Sequence, residues 1–368
     1  MSNSKQDSCS FKNLDLVIGN TTIDAVLGDD VDVEILGHSV TLKTAGNKNL
    51  FIPVQCGPIA PGGNYTAKVD FYNELQNFPR TEQFGGGGYL SAVMLSKISD
   101  DKVCYLDIST PSLDMSVPVT SLANKLESMG IESYFLNCMP IPLNIVLGKR
   151  SDKIVIKSRL IKTVFGKYHP ALVNELINDS RGILLNSVKD ESLVELVLNS
   201  DKKEKTLVAV ITKSLEPDYA LRRVVPNCIC QFNYDEFGYI INPEHDVIGD
   251  EETRIESAIE GIKRIRADYN KKDSMYVTLG KNGVLCSDSN YVYHVRLKDE
   301  FLEKIDEAVN KNTASTCGAG DAHAAGVLNE ELKRLYVLEI AKKACAVAVS
   351  YLGFKDILDD NSFIIKRF

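Results

Sequence analysis

The period of apolar and polar positions changes along the chain. Residues 14–18 form a short apolar run that stops at Gly19-Asn20-Thr21-Thr22-Ile23-Asp24, as a buried strand does where its C-terminal end opens a loop. Residues 31–35 and 39–42 alternate on either side of Gly37-His38, which predicts a half-exposed hairpin. Residues 144–147 and 153–156, around Gly148 to Asp152, predict a second. Two hairpins inside an α/β chain predict a small sheet set apart from the main body, over 31–43 and 144–157. Between them Gly85-Gly86-Gly87-Gly88 runs without a spacer into residues 89–98, whose apolar positions suit a buried helix. Glycines placed there favour a close backbone approach to a ligand. Beyond residue 160, apolar runs at 182–185, 206–211, 228–232 and 275–279 alternate with helical segments at 191–198, 255–269 and 335–352. That alternation predicts an α/β fold with a doubly wound, mainly parallel sheet.

Near the C-terminus Gly318-Ala319-Gly320-Asp321 enters an Ala-rich apolar helix. Small residues and the first amides of a helix together make an anion site. A carboxylate placed there either caps the helix or takes the proton of a hydroxyl about to be phosphorylated. Three other segments can cooperate with it. Asn233-Tyr-Asp-Glu236 follows a strand and either holds hydrated magnesium beside phosphates or forms a capping box. Thr278-Leu-Gly280-Lys-Asn-Gly283 is a nucleotide-lining turn or an ordinary β-turn. Asp24, placed at the end of the first strand, accepts substrate hydroxyls or caps a helix.

Composition narrows the choices. A net charge of −8 argues against a nucleic-acid or anionic-membrane partner, since both need clustered Lys and Arg. No apolar stretch has the length of a membrane helix, and the polar N-terminus lacks an apolar signal core, so a cytoplasmic protein is expected. The nine cysteines are scattered, with only Cys228-Ile-Cys230 close together, and the five histidines lack H-E-x-x-H spacing, so neither zinc nor a metalloprotease is expected. G-x-x-x-x-G-K-[ST], G-x-G-x-x-G after a strand and G-x-S-x-G are all missing.

The elements occur in one order: strand with Asp24, hairpin, glycines 85–88, hairpin, Asn-x-x-Glu, Thr-x-Gly, Gly-Ala-Gly-Asp. In that order, and in the segment Gly318 to Gly326, the chain resembles the ribokinase-like (PfkB) family of carbohydrate and nucleoside kinases. The resemblance implies a single ribokinase-like domain over 1–368 whose two hairpins form a discontinuous β lid. It implies transfer of phosphate from ATP, with Mg2+, to a hydroxyl of a small-molecule sugar or nucleoside. Asp321 would be the base, and Gly318, Ala319 and Gly320 would supply the anion hole. Asp24, Asn20, Gly86 and Gly87 would hold the acceptor. Thr278, Gly280 and Gly283 would line the nucleotide, with Asn233 and Glu236 acting on magnesium through water. A monomer or homodimer is compatible with it. A catalytically inactive, metabolite-binding relative is the alternative.

Departures from the family pattern carry expectations of their own. Ser315-Thr316-Cys317 stands where an aspartate-led triplet is usual, which argues against a monovalent-cation site. Tyr89 and Leu90 follow the glycines where an asparagine is common, so hydroxyl recognition on that side is altered. His323 stands where an aromatic is usual, and Cys345 where a small or amide residue often lines the adenine pocket.

Overall fold

The structure is a computed structural model that describes residues 14–28, 30–46, 48–55, 58–59, 64–109, 119–136, 141–147, 154–157, 170–200, 205–213, 215–242, 250–311, 318–354 and 356–368. The Ser315–Cys317 departure and the turn at 148–153 lie outside them.

The centre of the molecule is a ten-stranded sheet. Leu14–Gly19 lies between Ser180–Asn186 and Lys102–Asp107, parallel to both. Parallel pairing continues outward to Glu132–Phe135 on one side. On the other it runs through Thr206–Val210 and Ile229–Asn233 to Met275–Thr278. Val284–Ser287, Val292–Leu297 and Phe363–Arg367 complete the sheet antiparallel. The first strand reads as an apolar run broken only by Asp15 because both its faces are covered. Val17 joins the core on one side, with helices Gly87–Ile98, Ala319–Leu332 and Val337–Tyr351, while Leu14, Leu16 and Ile18 join the core on the other, with Glu191–Leu198, Tyr234–Ile241 and Glu251–Tyr269. The expected doubly wound, mainly parallel α/β architecture is therefore present.

The smaller sheets differ from the two-hairpin expectation. Leu143–Leu147 and Ile154–Lys157 pair antiparallel, but their sheet has five strands. Thr22–Leu27 lies parallel to Leu143–Leu147, and Arg80–Gly85 lies antiparallel to Thr22–Leu27. The hairpin near 31–43, strands Val31–Leu36 and Ser39–Thr44, instead joins Asn49–Pro53 in a separate three-stranded sheet. Its last strand leads to the five-stranded sheet through a single bridge, Val54 to Ala67. The two hairpins thus do not share one ladder. The strand following Gly19 lies between Leu143–Leu147 and Arg80–Gly85; its Ile23 and Ala25 reach the core, which leaves Asp24 on the opposite face.

The chain crosses from the main sheet to the five-stranded sheet at Asn20-Thr21, where a buried polar knot holds it. Thr21 Oγ1 donates to Asp107 Oδ2, which also receives the Tyr105 hydroxyl at 2.9 Å. Ser109 N–H donates to Asp107 Oδ1 at 2.7 Å, and Ser109 Oγ bridges the Thr21 N–H (2.7 Å) and carbonyl (3.0 Å). Burial pushes the Asp107 carboxyl above its ordinary range, opposed by these donors. Among the described residues no helix is long and apolar enough to cross a membrane, and Cys104, Cys228, Cys230, Cys286 and Cys345 are free thiols.

Candidate active site

Asp321 lies in the first turn of the helix Ala319–Leu332, which packs its alanines across Ser180–Asn186 and Thr206–Val210 of the main sheet. Gly318 is the N-cap, with φ of 104°, a conformation that favours glycine. The first intrahelical bond runs from Ala322 N–H to the Gly318 carbonyl (2.8 Å), so the amides of Ala319 and Gly320 precede the hydrogen-bonded ladder. Gly318 therefore shapes the turn, while the two residues after it present amides at the helix mouth.

The carboxylate is held by a residue that the sequence did not single out. Asn186, fully buried at the end of its strand, donates from Nδ2 to Asp321 Oδ1 at 2.9 Å, to Ser91 Oγ at 2.8 Å and to the Gly87 carbonyl at 3.1 Å. Ser91 Oγ in turn donates to the Asp321 carbonyl at 3.0 Å. The glycine turn lies directly against this cluster. A Cβ on Gly87 would sit 2.3 Å from Asn186 Oδ1 and 2.9 Å from Asp321 Oδ1, so the turn and the carboxylate come together only because residue 87 has no side chain. Gly86, at φ of 90°, meets the Asn20 carbonyl in the same way, at 2.6 Å.

Asp24 is not at a loop but inside the strand Thr22–Leu27, buried. It survives there because Asn144, its ladder partner on Leu143–Leu147, donates to Oδ1 at 3.0 Å, with the Thr22 hydroxyl at 3.1 Å. Oδ2 faces Gly85, where a Cβ would lie 2.3 Å away. Asn20, at the crossover, has a buried side-chain oxygen without a hydrogen-bond partner, next to the glycine turn. That is an acceptor in want of a donor.

Asn233 and Glu236 form the capping box of Tyr234–Ile241: Glu236 N–H donates to Asn233 Oδ1 at 2.8 Å, and Asn233 N–H to Glu236 Oε2 at 3.4 Å. Capping does not account for all of Glu236. Burial pushes its carboxyl up to about 7; the Asn233 amide pulls the other way, the Asp321 charge adds to the rise, and Lys213 counters it. Glu236 and Asp321 each stand in the first turn of their own helix. Thr278 donates its hydroxyl to the Phe232 carbonyl at 3.3 Å, which fixes the strand ends. Gly283 is required by its own fold, since a Cβ there would lie 2.1 Å from the Val295 carbonyl. Gly280, at φ of 62°, has open space on its Cβ side and is the member of this turn that leaves room for a ligand. Among the described residues no group of three or more His, Cys, Asp or Glu side chains gathers as for a metal ion.

A mainly parallel sheet with a carboxylate at a glycine-capped helix mouth above its strand ends, and a second small sheet beside it, defines the ribokinase-like α/β fold. The sequence profile of the pfkB family carbohydrate kinases matches residues 162–352, just over half of the chain. The chain belongs to that family. Among solved structures it is similar to the adenosine kinase from Schistosoma mansoni in complex with 2-fluoroadenosine, at 14% identity and a TM-score of 0.64, covering 96% of this chain and 99% of that one. The adenosine kinase from Sinorhizobium meliloti gives 14% identity and 0.62, covering 94% of each chain. The ribokinase from Cryptococcus neoformans var. grubii serotype A in complex with ADP gives 14% and 0.57, covering 92% and 93%. Likeness at such identity speaks to the fold. Comparison with curated protein sequences returns no match.

Proposed function

We propose that this chain transfers the γ-phosphoryl group of ATP to a hydroxyl of a sugar or nucleoside. The observation that carries the reading is Asp321: its carboxylate is tied to Asn186, abuts the backbone of Gly87, and stands in the first turn beside the Ala319 and Gly320 amides. In this reading the acceptor lies on the glycine turn, with Asp24 accepting its hydroxyls and a hydroxyl donating to the orphaned Asn20 oxygen. The acceptor oxygen forms its bond to the γ-phosphorus as the bridging oxygen–phosphorus bond of ATP breaks. Its proton passes to Asp321, and ADP leaves with the electron pair. The amides of Ala319 and Gly320, at the positive helix end, stabilise the negative charge of the group in transfer. That same helix end makes the carboxylate a weak base, which suffices because a loose transition state needs its proton removed only late.

Thr278 and Gly280 are assigned to the nucleotide side. Glu236 and Asn233 are assigned to magnesium, held through water. A half-buried carboxyl whose proton affinity is raised by burial, with a smaller part from the Asp321 charge, fits a site that a divalent cation neutralises. When bound, the ion offsets phosphate charge. The five-stranded sheet, which carries Asp24, is the lid of this reading and excludes water from the acceptor.

The test is ADP formation on incubating the protein with MgATP and a panel of sugars and nucleosides. Acceptor-dependent ADP release supports the kinase. Saturable binding of a panel member with no ADP released would instead favour a metabolite-binding protein without turnover.

A further inference from the structure

Gln231 lies mid-strand between Cys230 and Phe232, buried, and His323 lies buried one turn into the helix that begins at Ala319. They face each other. Gln231 Nε2 donates to the Gly320 carbonyl at 2.7 Å, and Gln231 Oε1 lies 2.8 Å from His323 Nδ1. One proton arrangement satisfies both contacts. The Gly320 oxygen only accepts, so the amide NH2 must face it; the amide oxygen then faces His323, whose Nδ1 must carry the hydrogen. His323 Nε2 is left buried with no hydrogen-bond partner, and the ring packs edge-to-face with Tyr276, centroids 6.2 Å apart. Burial alone drives the imidazole down to about 4, so it is neutral at ordinary pH.

A leucine and a phenylalanine would fill this space without leaving a nitrogen unsatisfied, and an aromatic at 323 is what the family resemblance leads one to expect. A polar pair that is costly as packing needs a use. The Gly320 carbonyl belongs to the same rigid peptide unit as the Asp321 N–H. A side-chain bond to that oxygen fixes the plane of the peptide and polarises the N–H on its far side. We infer that Gln231 and His323 are positioning residues that set the Gly320–Asp321 peptide at the helix mouth, and with it the Asp321 N–H, which precedes the hydrogen-bonded ladder next to the amides of Ala319 and Gly320. The catalytic consequence rests on the kinase reading above, while the geometry stands by itself.

Two measurements separate them. In the full-length, isotope-labelled protein without nucleotide, NMR should find His323 protonated on Nδ1 and bare on Nε2 at pH 7. Gln231→Leu should move the Gly320 carbonyl carbon and the Asp321 amide nitrogen upfield. An Nε2–H tautomer, or resonances that do not respond, overturns the inference whether or not the protein turns over. The second measurement uses the double variant Gln231→Leu/His323→Phe, which restores apolar packing. Its Tm should return close to wild type while kcat with the best panel acceptor stays down about tenfold and both KM values stay within about twofold. Recovery of kcat along with Tm would make the pair mere filling and overturn the inference. If the wild type phosphorylates nothing, the kinase reading fails, and the NMR result alone decides the peptide geometry.

Discussion

Gly87→Ala is the smallest perturbation that reaches the centre of the site. The backbone of residue 87 lies outside the left-handed region, so alanine brings no conformational strain, only a methyl group. That methyl would sit 2.3 Å from Asn186 Oδ1, 2.9 Å from its Cγ and 2.9 Å from Asp321 Oδ1. Ordinary contact begins at 3.4 Å, so something must move by about 1 Å. Asn186 cannot swing away, because it is fully buried and its Nδ2 is engaged by Gly87, Ser91 and Asp321. The displacement falls on the glycine turn and the carboxylate together. Overpacking of this size costs about 1–3 kcal/mol of stability, a drop of several degrees in Tm. A shift of about 1 Å between reacting groups costs roughly 100-fold in rate. The assay is ADP release at saturating MgATP with the best acceptor, with a thermal melt of the same sample. A folded Gly87→Ala protein whose kcat stays within threefold of wild type would refute the placing of Asp321 against the acceptor turn.

Asp321→Ala should lower kcat by at least ~100-fold with ATP affinity nearly unchanged; turnover above a tenth of wild type rejects Asp321 as base. Asp24→Ala should raise the acceptor KM by roughly 30-fold, about 2 kcal/mol, and leave that of ATP alone; equal losses for both would make Asp24 structural. Glu236 has a folded pKa of about 7 against an ordinary 4.5, so its contribution to stability is full below the lower value and is lost as pH rises through the upper one. Glu236→Gln, which keeps the capping box, should therefore gain Tm over wild type progressively between pH 4.5 and 7 in magnesium-free buffer, and a pH-independent difference would count against the burial that raises its carboxyl. Ser315 in place of an aspartate leads to little activation by potassium at matched ionic strength, and a saturable severalfold activation would show that other ligands complete a cation site.

The main sheet was legible because a strand covered on both faces is a continuous apolar run, and residues 14–18, 182–185, 206–211, 228–232 and 275–279 all fall in or across its parallel strands. Arg80–Gly85 was not legible. It is an edge strand, mostly exposed, and its Arg-Thr-Glu-Gln start has no apolar alternation to read. Asp24 was found but misplaced: a carboxylate inside a strand breaks the pattern, and the Asn144 that makes its burial tolerable lies 120 residues away. Local motifs such as Gly318 to Asp321 are written in consecutive residues and can be seen in them. Asn186 is 135 residues from Asp321, and the only signal it offered was a polar residue closing an apolar run at a strand's C-terminal end, where ligands gather.

The knot of Thr21, Tyr105, Asp107 and Ser109 also sets a mechanical ratio. It pins the chain where it leaves the main sheet, so the strand Thr22–Leu27 is a lever with its fulcrum at residue 21. At about 3.3 Å per residue, Asp24 rides roughly 10 Å out and Leu27 roughly 20 Å. Any tilt of the five-stranded sheet about that point displaces the rim twice as far as the carboxylate. A displacement of the outer edge is therefore felt at Asp24 at about half its size, close to Gly85, which pairs with Thr22 at the fulcrum end of the same strand.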